Sequence, residues 1–255
     1  MSWEVFFVTY EEKAYDELME WQLKMRKKGS FVQKFSKTAQ NKMNQLIPEK
    51  VHKLLTEAIK AMVKTVLTGS DVISKNTFPQ ALHLKEKETL INQQLDVYRK
   101  TAVLEGAGTG AGGLILGMAD FPLLLSIKLK FLYDVAKIYG YDMKQYEERL
   151  FLLLVFQMAF SSNEKRRETL HLIENWEAER KILRDVDWQS FQQEYRDYID
   201  LVKLLQLFPG IGAAVGAYAN YKLLDQLGET AIYCYRLRYF RNLGNIKDYV
   251  EGYDN

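Results

Sequence analysis

The chain has 255 residues, 47% hydrophobic and 27% charged, with a formal net charge of +2 and a mean hydropathy of −0.27. That length suffices for one large domain or two small ones with a sizeable core. A single cysteine, Cys234, excludes an internal disulfide and fits a reducing compartment.

From the start of the chain, Met1 to Tyr10 lacks the basic region and cleavage site of a secretory signal, and Ser2 excludes N-myristoylation. Thr9 and Glu12 have the spacing of a capping box, and Tyr15, Leu18, Met19 and Met25 follow at helical intervals, with Gln22 as a polar break. They predict an amphipathic helix ending at Gly29. A second helix is expected from Ser30, with Phe31, Phe35 and Met43 on one side. Pro48 suits the first position of a third. There Val51, Leu54, Leu55, Ala58, Ile59, Met62, Val63, Val66 and Leu67 keep the i, i+3, i+4, i+7 pattern until Gly69.

Charge is distributed unevenly over this region. Residues 1–23 carry six acids and one lysine, whereas residues 24–64 carry eleven Lys/Arg against Glu49 and Glu57. Arg26, Lys27, Lys28, Lys34, Lys37, Lys42, Lys53 and Lys60 are the candidate contacts to an anionic surface, lipid or nucleic acid. A solvated helix face beside an acidic patch explains the same residues equally well. Nucleic acid is disfavoured because aromatic side chains are sparse in the block.

Residues 69–84 contain turn formers and Pro79 and read as a connection; a helix follows over 85–104, with Leu90, Ile91, Leu95, Tyr98 and Ala102 inward. Residues 106–117 then read GAGTGAGGLILG, six glycines in twelve positions. Glycine in a helix costs roughly 1 kcal/mol against alanine, so the stretch forgoes about 5 kcal/mol of propensity. Either a ligand cradled by bare backbone or a closely packed helix would offset that loss. Beyond Asp120 and Pro122 a helix is expected over 123–139, stopped by Gly140, and QYEERLFLLLVFQMAF (145–160) should form a buried helix. Residues 163–184 read as one charged, solvent-facing helix, with another over 187–208.

PGIGAAVGAYAN (209–220) repeats the glycine pattern before a helix carrying Leu223, Leu224, Leu227, Ala231 and Ile232 to Arg241. Gly113 and Gly117 align with Gly212 and Gly216 at an offset of 99 residues. A weak internal repeat of two glycine-rich helical hairpins is therefore expected, with Asp120 and Asn220 at corresponding corners. Chance resemblance of two Gly/Ala segments is the alternative. Gly106/Gly110, Gly108/Gly112, Gly113/Gly117 and Gly212/Gly216 have the small-xxx-small spacing that lets helices approach closely. Both stretches reach the lower length limit for a bilayer span. Their weak hydrophobicity, Pro209-Gly210 and the acid Asp120 favour a shallow or core-packed hairpin instead. Asp120 could pair with Lys128 or Lys130, or cap the following helix.

Motifs with a chemical look are weak. Gly108, Gly110 and Gly113 match the dinucleotide fingerprint, with Asp134 21 residues on, but a charged helical stretch precedes them rather than a strand. Glu168, His171 and Glu174 share one helix face without a second motif to complete a metal site. Cys234 lies among Ile232, Tyr233 and Tyr235 and reads as packed. No cofactor or metal is expected, and no catalytic residue can be named. The tryptophans Trp3, Trp21, Trp176 and Trp188 suit a membrane interface or a bundle core.

Residues 106–122 (GAGTGAGGLILGMADFP), 136–142 (AKIYGYD), 151–160 (FLLLVFQMAF), 208–221 (FPGIGAAVGAYANY) and 235–240 (YRLRYF) resemble the EcsC family. The resemblance spans most of the chain, strongest over 85–245. It implies a bacterial protein associated with an ABC transporter made of an ATPase and a membrane subunit, with no established biochemical role. Asp120, Pro122, Gly140, Pro209 and Asn220 fall on the family's characteristic positions.

The resulting expectation is an all-α bundle with N-terminal helices in 1–84 and a helical domain in 85–255. It would be a peripheral accessory protein on the inner face of the cell membrane, acting through lipid or an integral membrane partner. A hydrolase-type enzyme with a polar site around Asp120 and Asn220 is the alternative.

Overall fold

A computed structural model describes residues 9–27, 49–69, 74–79, 81–109, 121–161, 163–183 and 213–244. Eight helices lie among them: α1 (Tyr10–Arg26), α2 (Glu49–Thr68), α3 (Leu84–Thr109), α4 (Phe121–Tyr139), α5 (Tyr146–Phe160), α6 (Asn163–Glu174), α7 (Trp176–Leu183) and α8 (Ala213–Asn242). The described residues form an all-α bundle without a sheet.

Local signals set several boundaries. The Thr9 hydroxyl accepts from the Glu12 backbone N–H while the Glu12 carboxylate accepts from that of Thr9, so α1 opens on the capping box. Gly69 and Gly140 end α2 and α4 at φ of +67° and +95°, backbone that L side chains rarely adopt. In α5 every residue from Glu148 to Phe160 is buried, because α2, α4, α6 and α8 surround the helix.

Three elements differ from expectation. First, α3 continues to Thr109, so Gly106 and Gly108 lie in its last turn. Second, the stretch expected as one helix over 163–184 breaks at Asn175, whose Nδ2 donates to the His171 carbonyl. The break lets Trp176 turn inward against Phe151, with ring centroids 5.2 Å apart. Third, α8 is continuous over 30 residues, which places Asn220 inside a helix and not at a corner. Ala213, Ala214, Ala217 and Ala219 offset the propensity lost at Gly216.

Helix α3 is the axis of the packing. It runs antiparallel to α8, as the pairs Glu88–Arg236, Leu95–Gly228 and Arg99–Asp225 show. It also runs antiparallel to α4, through Lys87 to the carbonyls of Ile138 and Tyr139, and Tyr98 to Asp134. The seam with α8 is tight. A Cβ on Gly228 would stand 2.7 Å from Leu95 Cδ2, so missing side-chain atoms do bring two helices together, at a glycine outside the expected set. Helix α1 covers α8 and α6, where the ring of Trp21 stacks on Tyr233 at 5.0 Å.

Candidate functional site

Two buried ion pairs anchor α8. Glu88, 2% exposed, accepts from Arg236 Nε and Nη2, both at 2.6 Å, from Tyr10 at 2.6 Å and from Tyr139 at 3.2 Å. The same guanidinium donates through Nη1 to the Ala14 carbonyl and to Glu17, tying α1, α3, α4 and α8 at one point. Two residues further along α8, Arg238 meets Glu148 bidentately at 2.5 and 2.8 Å with its guanidinium 3.8 Å from the Tyr141 ring centroid. Such forks satisfy both charges at once and are built for position rather than proton transfer.

A cleft of about 530 Å³ opens between the end of α2, residues 74–78 and the turn joining α4 to α5. Asp134 lies buried beside it, its carboxylate accepting from the Ser74 hydroxyl, from Asn76 Nδ2 at 2.7 Å and from the Tyr98 hydroxyl at 2.7 Å. Burial first, then the acceptor bond to Asp134, holds the Tyr98 phenol well above its usual range. Lys137 Nζ donates to the carbonyls of Ser74 and Asn76 at 2.7 and 3.1 Å and pins that segment over α4. Arg149, on α5, donates through Nη1 to the carbonyls of Met143 and Lys144 at 3.1 and 2.6 Å. Its guanidinium rests on the end of α2, where a Cβ at Gly69 would stand 2.9 Å from Cζ. Two buried donors here have no acceptor: the Tyr133 hydroxyl, in the cleft wall, and Arg149 Nε. Desolvation pushes the Tyr133 phenol up to about 12, with the Arg149 charge opposing.

The residues expected from sequence are scattered. Gly106 and Gly108 end α3, and Gly216 and Asn220 lie in the first turns of α8. Gly110, Gly112, Gly113, Gly117, Asp120 and Gly212 fall outside the described residues, as do Lys28, Lys34, Lys37 and Lys42. Arg26 pairs with Glu174 at 2.5 Å, and Lys27 caps α1 as an exposed residue. Lys53 and Lys64 are exposed on α2, with Lys60 half-exposed and 3.0 Å from Glu57. These three lysines share the outer face of a helix whose inner face buries Ile59, Met62, Val63 and Val66. Lys128 is 0% exposed and its Nζ has no hydrogen-bond partner; burial pushes its ammonium down to about 7.

The chemical-looking motifs are absorbed into packing. Glu168 pairs with Lys165, His171 Nε2 meets Asn175, and Glu174 accepts from Gln22 and Arg26. Among the described residues no cluster of His, Cys, Asp and Glu could hold a metal ion. Cys234 is fully buried, which drives its thiol well above the usual range. Helix α3, not a strand, leads into the glycines beyond Gly108. Sequence reasoning did not find Glu88, Tyr133, Lys137, Arg149, Arg236 or Arg238. The available signal was charge inside apolar runs, as in FLYDVAKIY and YRLRYF.

These features define an all-α protein locked by buried ion pairs, with a polar cleft at one end and a basic outer helix. Among the described residues no helix is long and apolar enough to cross a membrane. The chain belongs to the EcsC protein family, whose profile matches residues 12–240. It is 52% identical over 231 residues to Protein EcsC of Bacillus subtilis (strain 168), covering 91% of this chain and 97% of that protein. It is 26% identical over 245 residues to the uncharacterized protein YdbA of the same strain, covering 87% and 90%. No solved structure matches it.

Proposed function

We propose that this protein is a non-catalytic accessory protein held peripherally on the inner face of the cell membrane, where it binds anionic lipid and docks on an integral membrane partner. The observation carrying this reading is the outer face of α2, where Lys53, Lys60 and Lys64 stand out over an apolar inner face. These three lysines are the C-terminal part of the basic block of residues 24–64. Juxtaposed cations near an anionic leaflet gain about 1 kcal/mol each. The family resemblance makes subunits of an ABC transporter the partner of choice. In this reading the basic N-terminal helices within 1–84 bind the lipid, beside a helical domain over 85–255. The two glycine-rich stretches, as hairpins of a weak repeat, offer bare backbone to partner helices or insert shallowly.

Co-sedimentation with phosphatidylglycerol-containing vesicles tests it. Binding is expected at low salt, with little at 0.5 M salt and none to phosphatidylcholine alone. Replacing Lys53, Lys60 and Lys64 together by Ala removes about 3 kcal/mol, a loss of roughly 100-fold in partitioning. Indifference of the wild-type protein to anionic vesicles would overturn the reading.

A further inference from the structure

We propose that α2 is a releasable membrane-binding helix: on an anionic bilayer it leaves the bundle intact and re-buries Ile59, Met62, Val63 and Val66 among the lipid acyl chains. The inference rests on the membrane reading above and adds the surface that enters the lipid. What points to it is the way α2 is attached. Among the described side chains of α2 (residues 53, 54 and 56–68), none makes a hydrogen bond or ion pair to another helix. Their polar contacts stay inside α2, with Lys60 on Glu57 and the Thr68 hydroxyl on the carbonyls of Lys64 and Thr65. Neighbouring helices are tied differently. Helices α1 and α3 hold α8 through Glu17, Glu88 and Arg99, α3 meets α4 at Tyr98 and Asp134, and α5 meets α8 at Glu148 and Arg238. Separating such pairs strands a buried charge or donor. Helix α2 instead sits on α4 and α5 by apolar contact, which lipid can replace without that loss.

The residues of α2 suit both surroundings. In the bundle Ile59, Met62, Val63 and Val66 are at most 4% exposed, and Lys53, Lys60 and Lys64 lie on the other side. Glu57 is the one acid among its described side chains, so charge complementarity selects an anionic leaflet over a neutral one. In an interfacial helix the lysine stems lie along the apolar body while their ammonium groups stay among the headgroups. The surface beneath α2 is apolar too. Arg149, which touches the end of α2, is followed on the same side of α5 by Leu152, Leu153 and Phe156, at spacings of three, four and seven. A pivot is present at Gly69, which ends α2 at a φ of +67° that glycine holds without strain. Beyond it, Ser74 and Asn76 are bonded to Asp134 and Lys137, so the departing helix stays tethered to α4.

Photo-cross-linking of the full chain tests the proposal. Phosphatidylglycerol vesicles carrying a diazirine in the acyl chain are irradiated with the wild-type protein at low salt, and the modified peptides are mapped. Acyl cross-links are expected on residues 59–66, with a yield at least about tenfold above that from phosphatidylcholine vesicles with the same probe. A second measurement uses Val63→Cys, a small change at a fully buried position, with the native Cys234, also fully buried, as internal control. Both thiols should resist N-ethylmaleimide in solution. Protein that sediments with the anionic vesicles but takes no acyl cross-link on 59–66 overturns the release of α2 and leaves the membrane reading standing. Failure to sediment overturns both. On the vesicles, alkylation of Cys234 together with the thiol at position 63 would show general unfolding and also overturn the proposal, whereas cross-linking of 59–66 with Cys234 still protected supports it.

Discussion

Glu88 and Arg236 together join four helices, and Arg236→Met probes what the junction contributes. The change removes two 2.6 Å bonds to Glu88, one of 3.2 Å to the Ala14 carbonyl and one of 2.9 Å to Glu17. Glu88 keeps only Tyr10 and Tyr139, at 2% exposure. Breaking a buried pair by deleting one partner costs about 3–5 kcal/mol, because the remaining charge stays desolvated. Domains of this kind have a total stability of about 5–15 kcal/mol, so the loss is large. It corresponds to a fall in melting temperature of roughly 6–20 °C. Urea unfolding followed by far-ultraviolet circular dichroism measures it as a lower midpoint with unchanged slope. Arg26→Ala is the control: its pair with Glu174 has an arginine 56% exposed, and its removal costs less than about 1 kcal/mol. The double variant Glu88→Gln/Arg236→Met leaves a neutral acceptor for the tyrosines and recovers much of the loss. Equal effects of Arg236→Met and Arg26→Ala would refute the view that the buried fork holds α1, α3, α4 and α8 together.

Other side chains give independent tests. Lys128 has its ammonium pushed down to about 7 from the usual 10.5, so between those values the unfolded chain binds more protons and stability rises with pH. Lys128→Met therefore stabilises the protein by several kcal/mol at pH 6–7 and by clearly less at pH 9; a gain that does not vary with pH, or a loss, contradicts this. Gly228→Val drives methyl groups into Leu95, whose Cδ2 would be 2.7 Å from a Cβ, and should cost about 2–3 kcal/mol. Adding Leu95→Ala should recover part of that loss in a thermal melt, whereas simple additivity would show that the seam has room. Thr9→Ala removes the capping box of α1 and should lower stability by about 1 kcal/mol in urea; no change would mean that α1 frays in the wild type.

Local chemistry was readable from sequence and long-range pairing was not. Thr9 with Glu12, the stop at Gly69 and the apolar run of α5 depend on neighbours within a few residues, and each lies where expected. The break at Asn175 escaped notice because it depends on Trp176 reaching Phe151, on a different helix. Gln22 read as a flaw in an apolar stripe, yet it is buried and donates to Glu174 at 2.6 Å. The junction of Glu88 and Arg236 spans 148 residues, and no spacing rule links positions so far apart. Cleft residues escaped for a related reason. Tyr133, Lys137 and Arg149 are ordinary on helical wheels, and only their partners in space, backbone carbonyls for Lys137 and Arg149 and none for the Tyr133 hydroxyl, mark them out. Close helix contact through glycine was anticipated from the dense stretches at 106–117 and 209–220, but its described instance is the solitary Gly228.

Fractionation of cells expressing the full chain tests the membrane assignment most directly. The account predicts recovery with the membranes, release by high salt or alkaline carbonate, and loss of membrane recovery when Lys53, Lys60 and Lys64 are replaced together. Protein found wholly in the soluble fraction at physiological salt, or resisting carbonate as an integral protein does, would contradict it.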